Sequence, residues 1–181
     1  EIVESIHFGA FCVVNREGQV LASAGALELM TYPRSSLKPF QALAFIEHGG
    51  AEHFGFFGEE IAIMCGSHTG TALHQAVLEG MHEKIGTSGA DLACGVHWPI
   101  DSETRNELKL AGETPRVFHH NCSGNHTGML AYARLRGFSK DDYLNPEHPV
   151  QVSIRKTVAE FLDMEPDEMP LGIDGCSAPL Y

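Results

Sequence analysis

The pattern of apolar and polar positions predicts a β-hairpin at the start of the chain. Residues 2–15 are rich in Ile, Val, Phe and small residues, and the run Asn-Arg-Glu-Gly at 15–18 leads into a second apolar stretch at 19–24. Two apolar stretches joined by a short turn of this composition are typical of antiparallel strands. We therefore expect an opening antiparallel hairpin.

Beyond the hairpin, apolar positions recur every three to four residues, which is the spacing of an amphipathic helix. The predicted helices are 36–48, 71–84, 102–110, 129–136 and 145–163, with a short helix or strand at 59–65 and a strand at 171–173. The predicted apolar stripe of the 71–84 helix consists of Leu73, Ala76, Val77, Met81 and Ile85. Pro39 fits only the first turn of its helix, where a missing N–H is tolerated. Without a linker or repeat, the simplest organisation is one α+β domain over residues 1–181.

Composition narrows the classes of function. The chain has 12 Lys and Arg against 24 Asp and Glu, a formal net charge of −12, and 43% of its 181 residues are hydrophobic. This is the composition of a globular protein, and the excess of acid argues against binding to nucleic acid or anionic membranes. No apolar run reaches the ~20 residues of a membrane helix. Five cysteines, an odd number at irregular spacing, indicate a reducing, cytoplasmic setting.

A Ser-x-x-Lys pair at the entry of the first predicted helix is a candidate catalytic site. Ser35 and Lys38 are three residues apart, so the hydroxyl and the amine can meet within one turn. The helix N-terminus and burial both favour a neutral amine, which can act as a base toward serine. The alternative is a capped helix whose lysine extends along the surface.

Two loops of small residues form a second candidate feature. They are Cys-Gly-Ser-His-Thr-Gly at 65–70 and Cys-Ser-Gly-Asn-His-Thr-Gly at 122–128. Each precedes a predicted helix, where exposed backbone N–H groups can bind a carboxylate or an oxyanion. Tight packing between elements is the alternative explanation for such residues.

Cysteine and histidine spacing suggests a metal site. Cys94 and His97 form a Cys-x-x-His loop, and Cys122 lies further along the chain. Two thiolates and one imidazole would suit Zn²⁺ and leave a coordination position open. Buried, metal-free cysteines are the alternative.

Taken in order, five motifs of the chain resemble those of the bacterial L-asparaginase II family, typified by thermolabile rhizobial enzymes. The motifs are Tyr-Pro-Arg-Ser-Ser-Leu-Lys-Pro-Phe-Gln-Ala at 32–42, Cys-Gly-Ser-His at 65–68, Cys-Gly-Val-His-Trp-Pro at 94–99, His-Asn-Cys-Ser-Gly-Asn-His-Thr-Gly-Met at 120–129 and Gly-Ile-Asp-Gly-Cys-Ser-Ala-Pro at 172–179. Together they extend over nearly the whole chain.

The resemblance implies hydrolysis of L-asparagine to L-aspartate and ammonia, on a fold similar to serine β-lactamases and glutaminases, with an antiparallel sheet flanked by helices. It assigns Ser35, Lys38 and Ser67 to catalysis. It matches Cys94 and Cys122 to cysteines that bind zinc, and His97 stands at the third ligand position, where the rhizobial enzyme has a lysine. It also implies a homodimer. The predicted substrate-binding residues are Arg34, His68, Asn121 and His126.

Family members are about twice as long as this chain, which we therefore expect to correspond to their N-terminal portion. Three alternatives to a Ser/Lys acyl-enzyme remain open at this point. They are a hydrolase in which zinc-bound water attacks, an inactive half that needs the second segment, and a β-lactamase-like penicillin-binding protein.

Overall fold

The computed structural model describes residues 2–181, and its contacts divide the chain into two compact units, Glu1–Tyr32 and Pro33–Tyr181. The first unit contains the predicted hairpin. Strands β1 (Phe11–Val14) and β2 (Val20–Ala24) pair antiparallel, with a bulge between Val13 and Val14. The Asn15 side chain accepts hydrogen bonds from the backbone N–H groups of Glu17 and Gln19, which closes the turn. The first strand is shorter than predicted because its partner offers only five residues for pairing.

The second unit is built mainly from helices. Their bounds are α1 (Lys38–Glu47), α2 (Gly50–Phe54), α3 (Gly58–Met64), α4 (Ala72–Ile85), α5 (Ser102–Ala111), α6 (Ser123–Arg136) and α7 (Pro149–Leu162). A 3₁₀ turn, Arg34–Leu37, precedes α1, and Pro39 lies in the first turn of α1 as predicted. Short strands β3 (Gly172–Ile173) and β4 (Pro179–Leu180) form an antiparallel hairpin, of which the sequence predicted only the first strand.

Helix α6 lies at the centre of this unit. Its residues are buried without interruption from Ser123 to Ala133, and it packs against α1, α3, α4 and α7. The side chain of Gln151, on α7, donates to the backbone oxygen of Tyr143 at 2.9 Å, which satisfies a polar group inside the core. The first turns of α6 are therefore fixed by packing on several sides.

Three details of the helix prediction are wrong. Helix α6 begins at Ser123 and not at 129, because its small residues allow close helix packing. Helix α7 begins at Pro149 and not at 145, and its N-cap is His148. Leu73 is 68% exposed, whereas Gln75 and Leu78 are buried, so the buried face of α4 is rotated from the predicted stripe.

The mixture of helices and short antiparallel strands is compatible with the predicted α+β class. Within residues 2–181 the strands form two separate two-stranded sheets, and the β-lactamase-like arrangement stays a prediction. Among the helices of the described residues, none combines the length and the apolar character needed to cross a membrane.

Candidate functional site

The three predicted catalytic side chains meet in the second unit, although they come from different elements. Ser35 lies in the 3₁₀ turn, Lys38 begins α1, and Ser67 lies in the loop that follows α3. Lys38 is buried, while both serines are exposed. Because Lys38 is buried among core residues, its amine is held on the interior side of the two exposed hydroxyl groups.

A row of hydrogen bonds joins these side chains. Lys38 Nζ lies 2.9 Å from Ser67 Oγ, and Ser67 Oγ lies 3.0 Å from Ser35 Oγ. Lys38 also donates to the backbone oxygen of Gly66 at 3.3 Å. The lysine therefore reaches Ser35 through Ser67, whereas its spacing in the sequence suggested a direct contact.

Cys122 joins this row to a group of sulfur and oxygen atoms. Its Sγ lies 3.3 Å from Lys38 Nζ. A hydrogen bond with Cys176 lowers the pKa of the Cys122 thiol to about 4, with His120 and Lys38 acting in the same direction against the effect of burial. These contacts therefore favour a thiolate at Cys122, beside the amine of Lys38.

Cys94 and His97 do not form a compact donor group with Cys122, because the ligand atoms of the three residues do not all lie within 4.8 Å of one another. Burial, reinforced by Cys122, raises the pKa of the Cys94 thiol to about 12. His97 Nδ1 lies 2.6 Å from the backbone oxygen of Trp98, and the backbone N–H of Asn121 donates to its Nε2 at 3.1 Å. A carbonyl partner at Nδ1 makes Nε2 the acceptor nitrogen of the ring, and its lone pair accepts from Asn121 in this structure.

Sequence reasoning missed two residues of the site, Asp174 and Cys176. Donor atoms of Cys122, Asp174 and Cys176 lie within 4.8 Å of one another, and no other three Cys, His, Asp or Glu side chains within residues 2–181 place their donor atoms so close together. The spacing of residues along the chain predicts no role in the site for either one. Both lie in the 172–179 motif, so the resemblance contained the signal.

The predicted substrate-binding residues divide into two pairs. Arg34, beside Ser35, has a left-handed backbone (φ 51°), and its Nη2 lies 2.8 Å from Asp174 Oδ1. Asn121 lies next to Cys122, and its Oδ1 is 2.9 Å from His97 Nε2. Both residues border the reactive row.

The other pair, His68 and His126, is buried and supports the site. Burial lowers the pKa of each imidazole to about 3, so both rings are neutral. His68 accepts from the backbone N–H of Gly70 and therefore donates through Nε2 to Ser123 Oγ at 2.9 Å. His126 Nδ1 lies 2.7 Å from Tyr143 Oη. Their contacts hold loops and helices together around the row.

Two glycines of α6 explain why the row is so compact. A Cβ atom at Gly124 would lie 2.2 Å from the backbone oxygen of Ile63, and one at Gly128 would lie 2.6 Å from Met64 Cε. Close approach of α6 to α3 brings Cys122 next to the loop that carries Ser67. The small residues of this motif thus serve packing as well as the site.

An open pocket adjoins the row. It has a volume of about 330 Å³, and its lining includes Ser67, His68, Glu59 and His74. Space of this size beside a hydroxyl group can accept a small polar molecule.

Two comparisons bear on this geometry. The family described as L-asparaginase II matches residues 1–181, which is the whole chain. A comparison with curated proteins found no match.

Proposed function

The chain belongs to the L-asparaginase II family, and from this premise we propose that it hydrolyses the side-chain amide of L-asparagine to L-aspartate and ammonia. The observation that carries the mechanism is the row Lys38–Ser67–Ser35, with separations of 2.9 and 3.0 Å. Serine needs an adjacent base to act as a nucleophile at neutral pH. The row supplies that base through one intervening hydroxyl group.

In the proposed first half-reaction, Ser35 Oγ attacks the amide carbon. The Ser35 proton passes to Ser67 Oγ while the Ser67 proton passes to the Lys38 amine, so the hydrogen bonds reverse their direction. The lysine then returns a proton to the leaving nitrogen, and ammonia departs. A water molecule, deprotonated by the same row, hydrolyses the resulting ester and restores Ser35.

Two residues support substrate binding in this proposal. Arg34 has 67% of its side chain exposed next to Ser35, and a guanidinium group can bind the α-carboxylate through two parallel hydrogen bonds. Asn121 would orient the substrate from the opposite side. His68 and His126 would act indirectly, because both are buried against protein groups.

We also propose a zinc ion held by Cys94, His97 and Cys122. Two thiols and an imidazole whose Nδ1 contacts a carbonyl are donors that suit Zn²⁺. When bound, the metal would hold its three ligand side chains together and polarise the polar groups next to them. We also propose that the chain forms a homodimer, on the basis of the resemblance. A cytoplasmic location is proposed on the basis of the odd number of cysteines.

The test is ammonia release from L-asparagine by the purified 181-residue chain and its serine variants. We expect Ser35→Ala to lower kcat by about 10³-fold or more and Ser67→Ala to lower it strongly. Ser36→Ala is the matched control, because its hydroxyl bonds to the backbone oxygen of Pro33; we expect it to retain activity.

Two of the alternatives, the inactive half and the zinc-water hydrolase, have their own outcomes in this test. No ammonia from the unmodified chain would reject hydrolysis by this chain and favour an inactive half. Normal turnover by Ser35→Ala would reject Ser35 as nucleophile. Loss of the chemical step on chelation, with the fold retained, would favour attack by zinc-bound water.

A further inference from the structure

Asp174 lies at the tip of the β3–β4 hairpin and is held there by the backbone. Its N–H donates to the backbone oxygen of Ala178, and its own oxygen accepts from the N–H of Ser177, both at 2.9 Å. The Gly175 N–H donates to Asp174 Oδ1 at 2.8 Å. Only 10% of the Asp174 side chain is exposed, so this carboxylate is fixed in position before any ligand arrives.

Two separate contacts tie Asp174 to the reactive row. Arg34, which immediately precedes Ser35, forms a 2.8 Å ion pair with Asp174 Oδ1. On the other side, Asp174 lies within 4.8 Å of the Cys122 sulfur, which in turn lies 3.3 Å from Lys38 Nζ. The carboxylate therefore borders the place where the substrate must lie to reach Ser35.

The pair of charges matches the substrate. The α-carbon of L-asparagine carries one ammonium and one carboxylate group. Arg34 offers donors beyond the one that contacts Asp174, and a carboxylate has about four lone-pair positions. Asp174 Oδ1 accepts from Gly175 and Arg34, whereas the contact recorded for Oδ2 is the weak one with Cys176 Sγ at 3.8 Å. Oδ2 thus has acceptor capacity for an ammonium group.

We propose that Asp174 binds the α-ammonium group of the substrate while Arg34 binds its α-carboxylate, so that the pair selects an α-amino acid amide over a simple amide. This inference rests on the proposed function. Four alternating charges would result, in which each charged group of the substrate faces an opposite charge of the protein. An amide without the α-amino group leaves Asp174 unmatched.

The experiment measures equilibrium binding, so it does not depend on turnover. L-Aspartate and succinate differ by the α-amino group, and isothermal titration calorimetry gives the affinity of each for the full chain. We expect the unmodified chain to prefer L-aspartate by about tenfold, the discrimination typical of one hydrogen bond to a charged group. In Asp174→Asn the preference should fall to nearly one.

Asp167→Asn is the matched control. Asp167 also pairs with an arginine, Arg155, at 3.9 Å, but 94% of its side chain is exposed. This variant should retain the full preference for L-aspartate. Thermal unfolding of each variant verifies that the fold is intact.

Three outcomes would overturn the inference. They are an unmodified chain that binds both ligands equally, one that binds neither, and an Asp174→Asn variant that loses the same affinity for both ligands, which is the result expected of a merely structural ion pair. Failure of the proposed function gives a different result. In that case the chain releases no ammonia from L-asparagine, whichever of the two ligands it binds more tightly.

Discussion

Among single residues, Cys122 is the one whose sulfur atom belongs to several overlapping groups of the site. Its sulfur contacts Lys38, belongs to the proposed zinc ligands with Cys94 and His97, and lies within 4.8 Å of Asp174 and Cys176. A thiolate there balances the charge of the lysine when it is protonated. A metal bound to Cys122 would compete for the same lone pairs, so the identity of its partners matters.

Cobalt binding distinguishes these partners. Co²⁺ bound to thiolates absorbs in the near ultraviolet and visible range, so its titration reports cysteine ligation directly. We expect Cys94→Ser to weaken Co²⁺ binding by about tenfold or more, since even outer residues of metal sites contribute that much. Cys12→Ser is the control, because Cys12 is exposed in the first unit.

The contrary result is equally specific. If Cys94→Ser binds Co²⁺ normally and Cys176→Ser does not, the ligand set is Cys122, Asp174 and Cys176, and the zinc site proposed from the resemblance is wrong.

At the level of elements, the contact between α3 and α6 decides how the site is assembled. Gly124 lies directly against the backbone of Ile63, and backbone cannot move aside as a flexible side chain can. Any separation of the two helices would move Cys122 away from the loop that carries Ser67. The interface is therefore sensitive to a single methyl group.

Gly124→Ala tests this sensitivity. Because the added Cβ would overlap a backbone oxygen, we expect a loss of about 1–3 kcal/mol in the free energy of unfolding, measured by urea denaturation, together with reduced turnover. Gly80→Ala, inside α4, has open space around the position of its Cβ and should gain about 0.5–1 kcal/mol. Equal effects of the two substitutions would contradict the packing argument.

For the whole molecule, buried neutral histidines link stability to pH. His82 lies between the hydroxyl groups of Thr87 and Thr127, at 2.7 and 3.1 Å, and burial lowers its pKa from 6.5 to about 4. The unfolded chain binds a proton near pH 6.5, whereas the folded chain binds it only near pH 4. The free energy of unfolding therefore falls as the pH decreases across this window.

His82→Gln should flatten that dependence. Between about pH 6.5 and pH 4 we expect the unfolding free energy of the variant to fall less steeply than that of the unmodified chain, because one proton-binding difference has been removed. Chemical denaturation at a series of pH values measures both slopes. Parallel curves would show that His82 titrates alike in the folded and unfolded chain.

The sequence by itself determined the local features and the family. The Asn15 turn and the ends of the helices predicted at 71–84 and 102–110 depend on hydrogen bonds between near neighbours, so a short window contains the information. The five motifs carried the family resemblance, which the match over residues 1–181 confirmed.

Only the tertiary structure decided which side chains meet. Ser67 lies 29 residues from Lys38, and Asp174 reaches Arg34 from a hairpin at the other end of the second unit. The buried face of α4 likewise depends on its neighbours, which cover Leu78 and leave Leu73 exposed. Contacts between distant segments follow from how helices pack, and the spacing of residues along one helix does not contain that information.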